Sequence, residues 1–228
     1  MTVRLVKHSA SDADVVFAAR VSTKGPESLP AGDLGPADLG LIRYLMRDRH
    51  GSPFEHATMT LYAEAPIFVI REWQRHRMAS YNEESARYRK LKPTFYHPAR
   101  ERDLVQVGKP GAYTFKPGDE DQYDLVSFST RHTCAVAWGL YETMLKQGVA
   151  REVARAVLPV NIYSSMYVTM NARSLMNFLS LRTGEESARF PSHPQREIEM
   201  CAEQVERIFA DLMPVTYAAF QANGRVAP

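Results

Sequence analysis

Two periods of hydrophobic and polar positions run along this chain. Over residues 2–8, Val3 and Leu5 alternate with polar neighbours, the two-residue period of a short strand. The same period returns at residues 56–64, with Ala57, Met59, Leu61 and Ala63 on one face and Thr58, Thr60 and Tyr62 on the other. It returns again over residues 162–170, and residues 90–96 also read as strand. Elsewhere the spacing is helical. Ser11 or Asp12 can cap a helix reaching about residue 22. Residues 38–50 carry an apolar stripe of Leu41, Leu45 and Met46, with Arg43, Arg47 and Arg49 on other positions. Pro66 suits the first turn of a helix running through Ile70 and Trp73 to Arg77. The longest helix is expected over residues 120–147, where Leu125, Phe128, His132, Val136, Leu140 and Met144 trace one face and Gly148 ends it. His132 on that face reads as a packed histidine. Shorter helices are expected over 151–158, stopped by Pro159, and over 171–182, 195–213 and 215–221. Residues 24–36, with three prolines and three glycines, read as loop, as do 184–194; residues 97–119 read as an irregular excursion or hairpin. The strands follow no βαβ rhythm, so the expected class is α+β, an antiparallel sheet packed with long helices.

Composition narrows the class further. At 228 residues the chain suits a single domain spanning 1–228. Hydrophobic residues make up 45% and charged residues 24%, which is globular rather than disordered. A net charge of +2 is too small for broad nucleic-acid binding, so any basic site must be local. No apolar run is long enough to cross a membrane, and the first residues lack the apolar core of a signal peptide. Cys134 and Cys201 lie far apart, so a disulfide framework is not expected and a reducing cytoplasm fits. No cysteine or histidine spacing suggests a metal site.

Residues 75–88 break the pattern. They read Arg-His-Arg-Met-Ala-Ser-Tyr-Asn-Glu-Glu-Ser-Ala-Arg-Tyr, and the apolar stripe that ends at Trp73 does not resume until after them. The expected setting is the last turn of a helix followed by a loop. Two readings fit. One is a solvated basic turn, with Arg75 and Arg77 complementing a helix C-terminus. The other is a site for a phosphorylated ligand, since guanidinium forks match phosphates and planar carbonyls. Further groups gather at residues 171–182. Arg173, Asn177 and Leu181 share one helix face, and Ser174, Phe178 and Arg182 the adjacent one. Arg151 and Arg155 stand four apart and, taken alone, form a solvated basic face.

The pattern Arg75-His76-Arg77, seven residues, then Ser85-Ala86-Arg87-Tyr88 resembles the signature of the flavin-dependent thymidylate synthases. The resemblance extends over residues 47–96 and 151–182. It implies an enzyme that reduces FAD with NADPH and takes a methylene group from 5,10-methylenetetrahydrofolate. It converts dUMP to dTMP and releases tetrahydrofolate. It also implies a homotetramer whose site is shared between subunits. Matched position by position, the implied FAD contacts are Ser52, Arg75, His76, Arg77, Glu83, Asn171, Arg173 and Asn177. The implied nucleotide contacts are Glu72, Arg75, Glu83, Glu84, Ser85, Ala86, Arg87, Arg155 and Arg182. His50 matches a histidine near the flavin, and His193 can match another. Arg182 is the expected catalytic group, polarising the pyrimidine; its other reading is a cation at a helix C-terminus. Asn177, unfavourable in mid-helix, is either a satisfied core amide or a partner for a flavin or pterin ring. Glu72 stands where glutamine is common and Ser52 where threonine is common, and the 184–192 loop is longer than in compact members. No Gly-rich dinucleotide fingerprint occurs, so a Rossmann unit is not expected. Neither cysteine has the cationic setting of a nucleophile, and Ser85 lacks a nearby base, so it should orient the nucleotide.

Two other classes fit less well. A nucleic-acid module could stack bases on Tyr81 and Tyr88, but Glu72, Glu83 and Glu84 in the same stretch oppose a phosphate backbone. A structural oligomer built from the long helices would bind no cofactor.

Overall fold

The two-residue period at residues 2–9 and 58–66 forms paired strands in the computed structural model, which describes residues 1–28, 34–109 and 112–228. In chain order the elements are β1 (Thr2–Ser9), α1 (Asp12–Lys24), α2 (Pro36–Arg47), β2 (Thr58–Pro66), α3 (Ile67–Trp73), β3 (Ser80–Glu83), β4 (Val105–Lys109), β5 (Ala112–Lys116), α4 (Glu120–Lys146), α5 (Arg151–Ala154), β6 (Tyr163–Asn171), α6 (Ala172–Arg182), α7 (Arg196–Leu212) and α8 (Pro214–Ala222). The class is α+β, as expected. Part of the loop expected at 24–36 (residues 29–33), and Pro110 and Gly111 in the expected hairpin, lie outside the described residues.

The chain divides into two compact units. The first holds residues 1–65, 69–83 and 165–228. Its sheet has the order β1-β2-β6-β3, with β1 antiparallel to β2 and β3 antiparallel to β6. Met59, Leu61, Ala63 and Ala65 of β2 and Met166, Val168 and Met170 of β6 are buried on the two-residue period. Ser11 caps α1 by accepting from the Asp14 backbone N–H. The buried Asp12 carboxylate accepts from the backbone N–H groups of Val215 and Thr216, tying α1 to the positive end of α8. Helix α6 starts at Asn171, whose side chain accepts from Ser174 N–H. Its other end is pinned by buried Arg225, which donates to Thr183 Oγ1 at 2.6 Å and pairs with Glu206 at 2.5 Å. Both ends of the helix that carries Arg173, Asn177 and Arg182 are thereby fixed.

The second unit holds residues 66–68 and 84–164. Ala86, Leu91 and Ile162 form its core, with Ile67, Phe95, Trp138 and Leu158 packed on them. Asp119 and Gln122 form a capping box at the start of α4, and Gly148, at φ 80°, follows its end. The β4–β5 hairpin realises the excursion expected over 97–119.

Several expectations are corrected. In α2 the buried stripe uses Ile42 with Leu45 and Met46, not Leu41. Pro66 ends β2 instead of opening a helix, and α3 stops at Trp73, so Arg75 and Arg77 follow the helix rather than riding on it. The motif does not leave into a plain loop: Ser80–Glu83 is an edge strand on β6. Residues 90–96 form no strand, only a bridge between Phe95 and Ile162. The α4 face is reversed. Cys134, Ala137 and Tyr141 are buried, whereas Leu125, Phe128, Val136 and Leu140 are exposed. The helix is apolar on more than one side, so periodicity alone does not decide which face packs inward. His132 is accordingly exposed, stacked on Phe128 with ring centres 5.5 Å apart.

Candidate active site

The 75–88 motif crosses from the first unit to the second between Glu83 and Glu84. Every expected FAD contact lies in the first unit. Of the expected nucleotide contacts, Glu72, Arg75, Glu83 and Arg182 lie in the first unit and Glu84, Ser85, Ala86, Arg87 and Arg155 in the second.

In the first unit one cluster forms around Arg182. Its Nη1 pairs with a Glu72 carboxylate oxygen at 2.7 Å, its Nη2 donates to the Glu72 carbonyl at 3.4 Å, and its Nε donates to His76 Nε2 at 3.0 Å. The turn after α3 brings His76 to α6. Tyr81 holds that turn: its hydroxyl donates to the carbonyls of Trp73 (3.0 Å) and His76 (2.7 Å). Burial pushes the Tyr81 phenol up to about 12, so it remains a donor. Phe178 stacks on Trp73 and meets the His76 ring edge-on, both at 4.9 Å.

Burial, and secondly the Arg182 charge, lower the His76 pKa to about 4. An unfolded histidine titrates near 6.5. Below that pH the unfolded chain binds a proton that the native chain refuses, so stability falls as pH drops from about 6.5 towards 4. Because the ring is partly solvated, the expected loss is about 1–2 kcal/mol. Urea denaturation at both ends of this window should show the loss in the native sequence, and His76→Phe should lack that component.

A second cluster forms around Arg173, at the other end of α6 and about 13 Å away at the rise of an α-helix. Its Nη1 pairs with Glu55 and its Nε donates to the Pro228 carbonyl, both at 2.6 Å. The guanidinium passes directly over Gly51, where a Cβ would stand 2.5 Å from Nε. Asn177, between the clusters, is not a buried amide. It is exposed, with Nδ2 donating back to the Arg173 carbonyl at 3.1 Å. Asn171 uses its side-chain oxygen as the α6 cap. Ser52, Arg75, Arg77 and Glu83 are exposed, and among the described residues neither Arg75 nor Arg77 has an ion-pair partner. Two free guanidiniums suit a pyrophosphate, so the donor set fits a dinucleotide such as FAD. His50 and His193 are exposed; His50 stacks on Tyr44 at 5.5 Å. A cavity of 370 Å³ lined by Arg43, Tyr44, Arg47, Ala219 and Asn223, among others, includes none of the expected contacts.

In the second unit Ser85 Oγ accepts from the Arg87 backbone N–H at 3.3 Å, so both residues sit on one turn. Arg87 pairs with Glu152 at 2.9 Å and Glu84 with Arg89 at 3.0 Å. Ala86 is buried in the core, which leaves its backbone as the contacting group. Arg155 is exposed. Sequence reasoning missed Glu55, Glu152, Tyr81 and Phe178 as partners. Ser80–Glu83 holds one aromatic among polar residues, too short a run for a two-residue period to mark Tyr81's strand, and nothing local marks Glu55 or Glu152.

Among the described residues no group of histidine, cysteine, aspartate and glutamate is arranged to hold a metal ion, and no helix is long and apolar enough to cross a membrane. Residues 4–215 match the family described as "Thymidylate synthase complementing protein". The flavin-dependent thymidylate synthase of Streptomyces coelicolor is 60% identical, over all of this chain and 94% of that one. That of Tropheryma whipplei strain TW08/27 is 58% identical, over all of this chain and 95% of that one. A crystal structure of the UMP/dUMP methylase PolB from Streptomyces cacaoi, bound with 5-Br UMP, superposes with a TM-score of 0.92 at 54% identity, over all of this chain and 96% of that one. With a motif, a fold and full-length relatives in agreement, the chain belongs to the flavin-dependent thymidylate synthases.

Proposed function

We propose that this dUMP methyltransferase uses FAD as its flavin, NADPH as reductant and 5,10-methylenetetrahydrofolate as methylene donor. It works as a homotetramer in the cytoplasm, with residues 1–228 acting as one domain. The observation that carries the nucleotide role is the Arg182 guanidinium, presented by a helix fixed at both ends and anchored by Glu72 and neutral His76. Arg75 and Arg77 would hold the FAD phosphates, with Ser52, His76, Glu83, Asn171, Arg173 and Asn177 around the rest. Arg173 reaches the flavin only by sharing or leaving Glu55. Once reduced by NADPH, a flavin held there would supply the hydride that completes the methyl group. Arg87 and Ser85 receive the dUMP phosphate, where Arg87 exchanges Glu152 for a doubly charged partner. Arg155 and the Ala86 backbone complete that contact, while Glu84, a carboxylate paired with Arg89, faces the nucleoside rather than the phosphate. Arg182 stabilises negative charge spread through the pyrimidine, making its C5 nucleophilic without a thiolate. A guanidinium stays protonated and therefore does not serve as the base.

The exposed stripe Leu125, Phe128, Val136 and Leu140 on α4 supports assembly with further copies of the chain. The PolB likeness favours a second reading of scope, in which UMP is also methylated. Reconstitution with FAD should give a flavin absorbance and NADPH oxidation that depends on dUMP, with UMP assayed beside it. A colourless protein, inert after FAD addition, removes the reading.

Cysteine chemistry is not needed. Both cysteines are free and buried, and burial pushes the Cys201 thiol up to about 12. The Cys134 sulfur lies 3.2 Å from Asn161 Nδ2. Changing both to alanine should leave kcat within about threefold of the native value, since neither enters the transition state. Loss of turnover with FAD still bound would implicate a thiolate.

A further inference from the structure

Arg182 is held in a way that a helix-ending arginine does not require. A cation serving only the helix dipole stays near the last carbonyls of its own helix. Arg182, with its side chain 18% exposed, instead reaches Glu72 and His76. Three of its five N–H groups are engaged there, which leaves two. Acceptance at His76 Nε2 requires a lone pair at that nitrogen, so the ring is neutral and carries its proton on Nδ1. An imidazolium would present N–H to N–H. The ring cannot easily turn away, because Phe178 meets it edge-on and Tyr81 ties down its carbonyl. The charged and titratable groups around it are Arg182 from α6, Tyr81 from β3 and Glu72 from α3, which acts through Arg182. Arg75 and Arg77 flank it in the chain.

We propose that His76 is a positioning residue for Arg182: its neutral imidazole sets the rotation of the guanidinium through Nε, Glu72 holds the Nη1 end, and two N–H groups are left to meet the pyrimidine edge. The proposal rests on Arg182 as the group that polarises the pyrimidine, and it goes beyond the flavin contact expected of His76. A guanidinium free to rotate would still bind dUMP but would meet the developing charge in the wrong plane. Small misplacements of this kind cost up to about a hundredfold in rate.

The test has two arms. The first needs neither flavin nor substrate. Nitrogen NMR of the imidazole in the unliganded protein should show the Nδ1–H tautomer at neutral pH, titrating near pH 4. In Arg182→Leu, where the neighbouring charge is gone, the titration should move up. An Nε2–H tautomer, or the same titration in both proteins, overturns the proposal. The second arm is kinetic. His76→Phe keeps a ring against Phe178 but offers no acceptor; His76→Gln can place an amide oxygen where Nε2 stands. The phenylalanine variant should lose about tenfold or more in kcat with KM for dUMP nearly unchanged, and glutamine should recover most of it. Equal losses in both variants, with weaker FAD binding in both, would assign His76 to the flavin alone and overturn the proposal. A native protein that makes no thymidylate while showing the expected tautomer defeats the underlying role of Arg182, and the proposal with it; that outcome is distinct from the other two.

Discussion

Arg182→Lys should fold, assemble and bind FAD, yet lose about two orders of magnitude or more in turnover, as removal of a transition-state donor typically does. Lysine serves a helix C-terminus as well as arginine does, and its ammonium can still pair with Glu72. It has no planar fork. One nitrogen cannot hold the Glu72 carboxylate and His76 Nε2 while also presenting two N–H groups in the plane of a pyrimidine. The decisive quantity is kcat at saturating dUMP. A lysine variant that turns over like the native enzyme would reduce Arg182 to a helix cap.

Phe178→Ala should cost about 3–5 kcal/mol, the range for truncating a buried aromatic residue. Phe178 is fully buried and stacks on Trp73, also fully buried. Among the described residues the indole Nε1 of Trp73 has no hydrogen-bond partner, so this pair is held by packing. The same ring supports the His76 edge. The cavity would therefore loosen the His76–Arg182 contact as well as the core. The midpoint of urea unfolding, measured at one protein concentration because assembly adds to apparent stability, should fall, and the residual folded enzyme should also turn over slowly. Phe178→Leu, which fills more of the space, should fall between the two. A stability loss under 1 kcal/mol would mean that the site does not depend on this stack.

Much of this was legible from spacing. The alternation of Met59, Leu61 and Ala63 marks a strand because one face must be buried, and Ser11 and Asn171 mark helix starts because their oxygens satisfy first-turn N–H groups. The motif from Arg75 to Tyr88 was legible because ordinary surfaces do not concentrate guanidiniums, hydroxyls and carboxylates without an apolar stripe. The inner face of α4 was not. Cys134, Ala137 and Tyr141 compete there with a longer stripe of larger residues that stays exposed, and period alone does not say which side finds a partner. Pairings such as Arg173 with Glu55 and Arg182 with His76 join residues 118 and 106 positions apart. They depend on tertiary packing and leave no local trace. Asn177 misled for a related reason: its low helix propensity suggested burial, whereas an exposed amide bonding back to Arg173 meets the same chemistry at the surface.

The most direct test is product formation by the purified protein supplied with FAD, NADPH, 5,10-methylenetetrahydrofolate and dUMP, with the nucleotide identified by mass spectrometry. dTMP should accumulate in the complete mixture and disappear when FAD or the folate is left out. A folded, flavin-loaded protein that yields no dTMP, or one that yields it equally without flavin, would contradict the account.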